Sequence, residues 1–205
     1  MSVFSDTALE ADVVSRARAG DESAHAQIYR VFERPVRTLA RRLLSHRAAA
    51  EDIAQDVFVD VLTRLHQFEG RGSFAGWVRS ITVSRCLMHL RSPWQRSRRW
   101  LTAGRPDDSD VDQASFDVRD ETEVARLDTA ATVDLVRALG LLADTARAVV
   151  WLHDVEGYTH GEIGALFGAS ASFSKSQLSR AHEKLRATLQ PEGVGNPCIP
   201  APSTY

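Results

Sequence analysis

Residues 159–185, THGEIGALFGASASFSKSQLSRAHEKL, decide the fold. Thr159 followed by Glu162 forms a T-x-x-E capping box ahead of Ile163, Leu166 and Phe167, so a short helix starts there. Gly168 ends it, because glycine enters the left-handed backbone region without steric cost. Ser170 or Ser172 then caps a second helix reaching about Leu189, with Leu178, Ala181 and Leu185 on its inner face. Two helices joined by a tight glycine-bearing turn make a helix-turn-helix, whose second helix suits a DNA major groove. Lys175, Gln177, Ser179, Arg180, Lys184 and Arg186 lie away from the core on that helix. They serve equally as a groove reader or as the solvated face of a small bundle.

The rest of the chain reads as helix as well. Apolar spacings of three and four run through residues 8–19, 24–45, 49–68 and 74–91, with Asp21 placed to cap the second helix and Pro35 expected to break or kink it. Glu69-Gly-Arg-Gly-Ser73 interrupts the pattern. Residues 125–189 return to helical periodicity, broken near Gly140, Gly157 and Gly168. The expected fold is all-α: two small helical domains, residues 1–100 and 125–190, joined by an acidic flexible linker at 101–124, the second domain carrying the helix-turn-helix. The Pro- and Gly-bearing end, 191–205, is expected to be disordered.

Composition limits the function classes. The chain has 205 residues, 43% hydrophobic and 25% charged, enough apolar content for a packed core and too much for wholesale disorder. No apolar run approaches ~18 residues and no secretory leader opens the chain, so a cytoplasmic protein without membrane insertion is expected. Cys86 and Cys198 stand alone, with no zinc-finger spacing, and no metal or cofactor is expected. Cys86 and His89, three apart on a helix, read more readily as a packed thiol beside a histidine than as half a metal site. The seven histidines are scattered, and no catalytic triad or phosphate loop accompanies them, so no enzyme is expected.

The net charge of −2 hides a segregation. Six arginines and no acid lie between Arg85 and Arg105, whereas eight acids lie between Asp107 and Glu123 against Arg119 alone. A local basic patch holds phosphates whatever the total charge. Opposite potentials on neighbouring segments also lead us to expect the acidic stretch to contact Arg91–Arg105.

Ala50-Glu51-Asp52-Ile53-Ala54-Gln55-Asp56-Val57-Phe58, Phe68, Gly72-Ser73-Phe74 and Trp77-Val78-x-x-Ile81 resemble the second region of bacterial extracytoplasmic-function (ECF) sigma factors. Leu142-x-x-x-x-Arg147, Glu156-Gly157-x-Thr159, Glu162-Ile163-Gly164, Gly168 and Lys175-Ser176-x-Leu178-x-Arg180-Ala181 resemble the fourth, in the same order. The resemblance implies a sigma factor that binds core RNA polymerase, directs it to promoter DNA and helps to open the duplex, with an anti-sigma factor as its regulator. It assigns polymerase binding to Glu51, Asp52, Gln55, Asp56 and Val59. Recognition of the −10 element falls to Gln67, Arg71, Gly72, Ser73, Trp77 and Arg79, and of the −35 element to Phe173, Lys175, Ser176, Gln177, Arg180 and Lys184.

The residues give these roles a physical reading. A wheel of about 100° per residue sets Ala54, Val57, Phe58, Val61, Leu62 and Leu65 on one side, and Asp52, Gln55, Asp56, Asp60 and Thr63 on the other with Val59 among them. An apolar residue ringed by acids suits a partner interface, although one exposed valine is common. Gly70 and Gly72 permit unusual backbone shapes, and Arg71 and Arg79 suit phosphates. Phe74 and Trp77 fit core packing better than base stacking, because 74, 77, 78 and 81 form one stripe. The chain departs from the family pattern at Ser84, where Asn is common, at Ala143 for Pro, at Ser172-Phe173-Ser174 for Gly-Thr-Val, and at Gln177 for Arg. Altered −35 preference is expected from these changes. A helix-turn-helix regulator acting without polymerase, or a helical protein-interaction adaptor, are the competing readings.

Overall fold

The computed structural model describes residues 3–5, 7–91 and 130–189. Among the described residues eight α-helices form two bundles and no strand occurs. The first bundle holds α1 (Ala11–Arg18), α2 (Glu22–Leu43), α3 (Arg47–Thr63) and α4 (Phe74–Arg91), with a 3-10 turn at Leu65–Gln67. The second holds α5 (Ala130–Gly140), α6 (Asp144–Val150), α7 (His160–Phe167) and α8 (Ala171–Leu189). The expected linker, the acidic stretch and the C-terminal tail fall outside the described residues.

Helix α2 organises the first bundle. The Asp21 carboxylate accepts from the Ser23 and Ala24 amides and so caps its start. Its apolar stripe, Ile28, Phe32, Val36, Leu39 and Leu43, is fully buried and meets α3 and α4. Each such side chain contributes about 1.5–3 kcal/mol by burial. Pro35 does not break the helix, contrary to one of its expected outcomes: α2 runs unbroken from Glu22 to Leu43. Phe32 and Val36 anchor it on both sides of the missing amide, and this packing offsets the lost hydrogen bond.

Helix α3 is held on two sides. Ile53, Ala54, Val57, Phe58 and Val61 are buried, and Glu51 bridges to Arg37 at 3.1 Å and Arg41 at 2.7 Å on α2. Asp60 corrects the helical-wheel expectation. It is buried, 5% exposed, and ion-paired with Arg85 of α4 and with Arg64, the latter at 3.2 Å. A carboxylate enters a bundle when a guanidinium meets it there, and the wheel has no knowledge of α4.

In the second bundle the Thr159–Glu162 capping box forms in both directions, and Gly168 adopts φ 65°, the left-handed stop. The Ser170 hydroxyl accepts from the Phe173 amide and caps α8. Leu178, Ala181 and Leu185 are buried as expected. Helix α6 continues into a π-turn, Trp151–Val155, that delivers the chain to α7.

The Arg85 hydrogen bond holds the Asp60 carboxyl below the usual carboxylate range despite burial. A depressed folded pKa stabilises above the unfolded value of about 3.9 and is lost as pH falls through the folded value. Asp60→Asn is therefore expected to lower unfolding stability by on the order of 1–3 kcal/mol at pH 7. Urea titrations across pH should find the gap to wild type narrowing below about pH 4.

Candidate functional site

Most of the residues singled out from the sequence fall on three surfaces. The first is the outward face of α3. With the apolar residues and Asp60 turned inward, Asp52, Gln55, Asp56 and Val59 remain exposed at positions i, i+3, i+4 and i+7, one continuous stripe. Val59 is 62% exposed. Glu51 stands at the edge of this face, engaged by Arg37 and Arg41. The arrangement offers a small apolar knob with the exposed carboxylates of Asp52 and Asp56 along the stripe on its N-terminal side, complementary to a basic, partly apolar groove.

The second surface is the turn from Gln67 to Ser73 and the start of α4. Gln67, Arg71, Gly72 and Ser73 are exposed. Gly70 and Gly72 take φ 78° and 91°, backbone shapes that need glycine. Arg71 is ion-paired with Glu69 across the turn, and the Ser73 hydroxyl accepts from the Gly76 amide to cap α4. Phe74 is buried and lies edge-on to Phe32 at 5.5 Å. Trp77 is half-buried, 5.6 Å from Phe68 and 5.5 Å from Phe74. The indole is thus held by two core rings while staying partly exposed. Arg79 is not part of this turn: it points to Glu156 in the second bundle.

The third surface is α8. Lys175, Ser176, Arg180 and Lys184 are exposed, whereas Gln177 is half-buried. Phe173 packs on Phe167 with ring centroids 5.6 Å apart, clamping the turn. Gly164 permits that turn to close, since a Cβ there would stand 2.7 Å from the Ser170 backbone.

Behind α8 lies an imidazole cluster that the sequence does not betray, because its members come from three elements. Asp154 of the π-turn bonds His153 and, on α8, His182, each at 2.7 Å. His153 stacks on His160 with ring centroids 4.4 Å apart, and His160 Nδ1 meets the Ser174 hydroxyl at 3.0 Å. Burial pushes the Asp154 carboxyl up, but the two histidine hydrogen bonds outweigh it and leave it below the ordinary value. Desolvation, then the His153 ring and Lys175, push the His160 imidazole below its usual value. Cys86 is buried with its thiol pushed up to about 12, and His89 beside it is half-buried. Among the described residues no group of three or more His, Cys, Asp or Glu is arranged to hold a metal, and no helix is long and apolar enough to cross a membrane.

Comparison with known proteins returns matches to both bundles. Residues 28–96 match Sigma-70 region 2 and residues 132–185 match Sigma-70, region 4. The ECF RNA polymerase sigma factor RpoE of Cereibacter sphaeroides is 32% identical over 170 residues, 81% of this chain and 86% of that protein. The ECF RNA polymerase sigma factor SigE of Mycolicibacterium smegmatis is 31% identical over 83% of this chain, which spans 64% of SigE's length. NccH, an RNA polymerase sigma factor of Alcaligenes xylosoxydans, is 28% identical over its whole length and 93% of this chain. In fold the chain is similar to the sigma factor RpoE of Bartonella quintana, solved in complex with the anti-sigma factor NepR, at TM-score 0.50 and 20% identity over 82% of this chain and 98% of that one.

The imidazole cluster generates a pH prediction. A histidine whose folded pKa is depressed costs stability once the unfolded chain can take the proton, so stability falls as pH drops below about 6.5. Asn at position 160 keeps a polar group near Ser174 and has no titration. Thermal unfolding of His160→Asn between pH 7 and 5 should show a shallower loss than wild type.

Proposed function

The chain belongs to the ECF family of RNA polymerase sigma factors, regulatory proteins that direct transcription initiation, and we propose that it docks on core RNA polymerase through α3 and reads a two-part promoter with its two domains. The observation that carries this reading is the α3 face. Asp52, Gln55, Asp56 and Val59 are outward while Ile53, Val57, Phe58 and Val61 are inward, which supports a partner surface with a desolvated centre and charged rim. A regulator binding duplex DNA alone has no use for that face.

The turn Gln67–Ser73 presents exposed polar groups on a glycine-shaped backbone, suited to bases already unstacked at the −10 element, with the half-buried Trp77 beside it. Arg71 exchanges Glu69 for phosphate when the strand arrives. Helix α8 enters the major groove at the −35 element. Gln177 and Arg180, about 60° apart on the helix, address neighbouring bases, Gln suited to adenine and Arg to guanine. Lys184, a turn further on, meets the backbone. By analogy with the RpoE–NepR complex, an anti-sigma factor covers these surfaces in the resting cell. The site of action is the cytoplasm, where promoter and polymerase meet.

Asp56→Arg combined with Val59→Asp is expected to weaken core-polymerase binding tenfold or more, the loss of about 1.4 kcal/mol, with an unchanged helical circular-dichroism spectrum. Unaltered affinity of the folded double variant refutes the docking face. In transcription from a library randomised upstream, Gln177→Ala should relax selection at one position by about 5- to 150-fold, equivalent to ~1–3 kcal/mol. Lys184→Ala should weaken all promoters alike and reduce the salt slope.

A further inference from the structure

The turn Gln67–Ser73 is anchored at its ends and open at its tip. A Cβ built on Gly70 or Gly72 would meet no atom within 4 Å among the described residues, and two left-handed glycines give the backbone there unusual freedom. The polar contacts of the tip are local, Arg71 with Glu69 and the Ser73 hydroxyl with the Gly76 amide. The direction of the turn is therefore set by what holds its two ends. One end is Phe74, buried at the start of α4. The other is Phe68, half-buried, edge-on to Phe74 at 5.2 Å and 5.6 Å from Trp77.

Arg18, the last residue of α1, reaches the Phe68 end from 47 positions away in sequence, donating from Nε to the Leu65 carbonyl at 3.2 Å. Its guanidinium carbon lies 5.9 Å from the centroid of the Phe68 ring. The same carbonyl accepts the Phe68 amide at 3.2 Å, the bond that closes the 3-10 turn. Arg18 stands on a firm base. Val13 and Ala17 of α1 are buried, and the His25 imidazole of α2 meets the Ala17 carbonyl at 2.8 Å. Arg16 forks onto Asp21 at 2.8 and 2.7 Å, the carboxylate that also caps α2. An arginine that binds phosphate presents its terminal fork. Arg18 instead commits Nε to a backbone carbonyl and its guanidinium to a ring.

We propose that Arg18 is a positioning residue for −10 selection: by tying the Leu65 carbonyl and covering the Phe68 ring it aims the Gln67–Ser73 turn, so selectivity at that element depends on α1, a helix outside the three candidate surfaces. The proposal rests on the reading of this turn as the −10 reader. Loss of Arg18 leaves the Phe68 amide bond and the ring packing in place, so the domain still folds. What it releases is the direction of the turn. A turn that samples several directions is competent for the correct base in only a fraction of them, and its apparent affinity for that base falls by the same fraction.

Transcription by core polymerase with the full chain, from a library randomised at both promoter elements, tests this. Arg18→Ala should relax selection at the −10 positions about three- to tenfold, the worth of one such hydrogen bond, with −35 selection and core affinity as in wild type. Gln Nε2 stands as many bonds from the backbone as Arg Nε, so Arg18→Gln keeps a donor for the carbonyl without the charge and should recover most of the selectivity. Arg18→Lys keeps the charge but sets its nitrogen one bond further out, and should not. Hydrogen exchange of the free chain reads the brace without DNA: residues 66–73 should exchange at least threefold faster in Arg18→Ala and near the wild-type rate in Arg18→Gln, with α8 unchanged. Wild-type −10 stringency or wild-type exchange at 66–73 in Arg18→Ala overturns the proposal, as does equal loss of selection at both elements. Recovery by Arg18→Lys and not by Arg18→Gln, with a salt slope reduced in Arg18→Ala, marks a phosphate contact instead and overturns it too. Thermal unfolding verifies that each variant folds, and should Arg18→Ala fail to fold, the comparison of Arg18→Gln with Arg18→Lys decides alone. A wild-type chain with no base preference at −10 overturns the reading of the turn, while faster exchange at 66–73 in Arg18→Ala still supports the brace.

Discussion

The rotational setting of α3 between α2 and α4 is the constraint on which the first domain depends. Its apolar residues Ile53, Val57, Phe58 and Val61 go inward, which any amphipathic helix achieves. What sharpens the setting is charge. Glu51 is tied to α2 through Arg37 and Arg41, and Asp60 is tied to α4 through Arg85. A rotation of one residue, about 100°, breaks both ties and carries Val59 into the core. With α3 so clamped, Asp52, Gln55, Asp56 and Val59 are left outward as a rigid stripe. Rigid presentation reduces the ordering cost of association.

The second domain solves a different problem, a sharp turn between two short helices. The Thr159–Glu162 box secures one end of α7 and the left-handed Gly168 the other. Gly164 lets the chain fold back tightly, and the Phe167–Phe173 contact closes the turn. The imidazole cluster then ties α8 to the π-turn and to the start of α7. In the proposed reading role, a helix fixed at its start and at His182 loses little conformational freedom on entering a groove, and specificity then rests on the side chains themselves.

Much of this was legible in the sequence, for local reasons. Capping boxes, glycine stops and apolar periodicity are encoded within a few residues, so the helices, the Asp21 cap, the Thr159–Glu162 box and the buried Leu178, Ala181 and Leu185 follow directly. Pro35 misleads because its effect depends on packing from α3 and α4, which outweighs one missing hydrogen bond. Asp60 misleads because its partner, Arg85, is 25 residues away. Arg79 reaches Glu156, 77 residues on, a contact that no local pattern announces. The His153, Asp154, His160 and His182 group is invisible for the same reason. Long-range polar contacts leave no periodic trace, whereas apolar burial does.

The central claim, that the α3 stripe is the polymerase-facing surface of a promoter-specificity subunit, is most directly tested by hydroxyl-radical footprinting of the chain alone and with core polymerase. Val59, 62% exposed in the free chain, should lose most of its reactivity in the complex, while Tyr29, exposed on α2, serves as an internal reference. Full reactivity of Val59 in a chain that co-elutes with core polymerase would contradict the account.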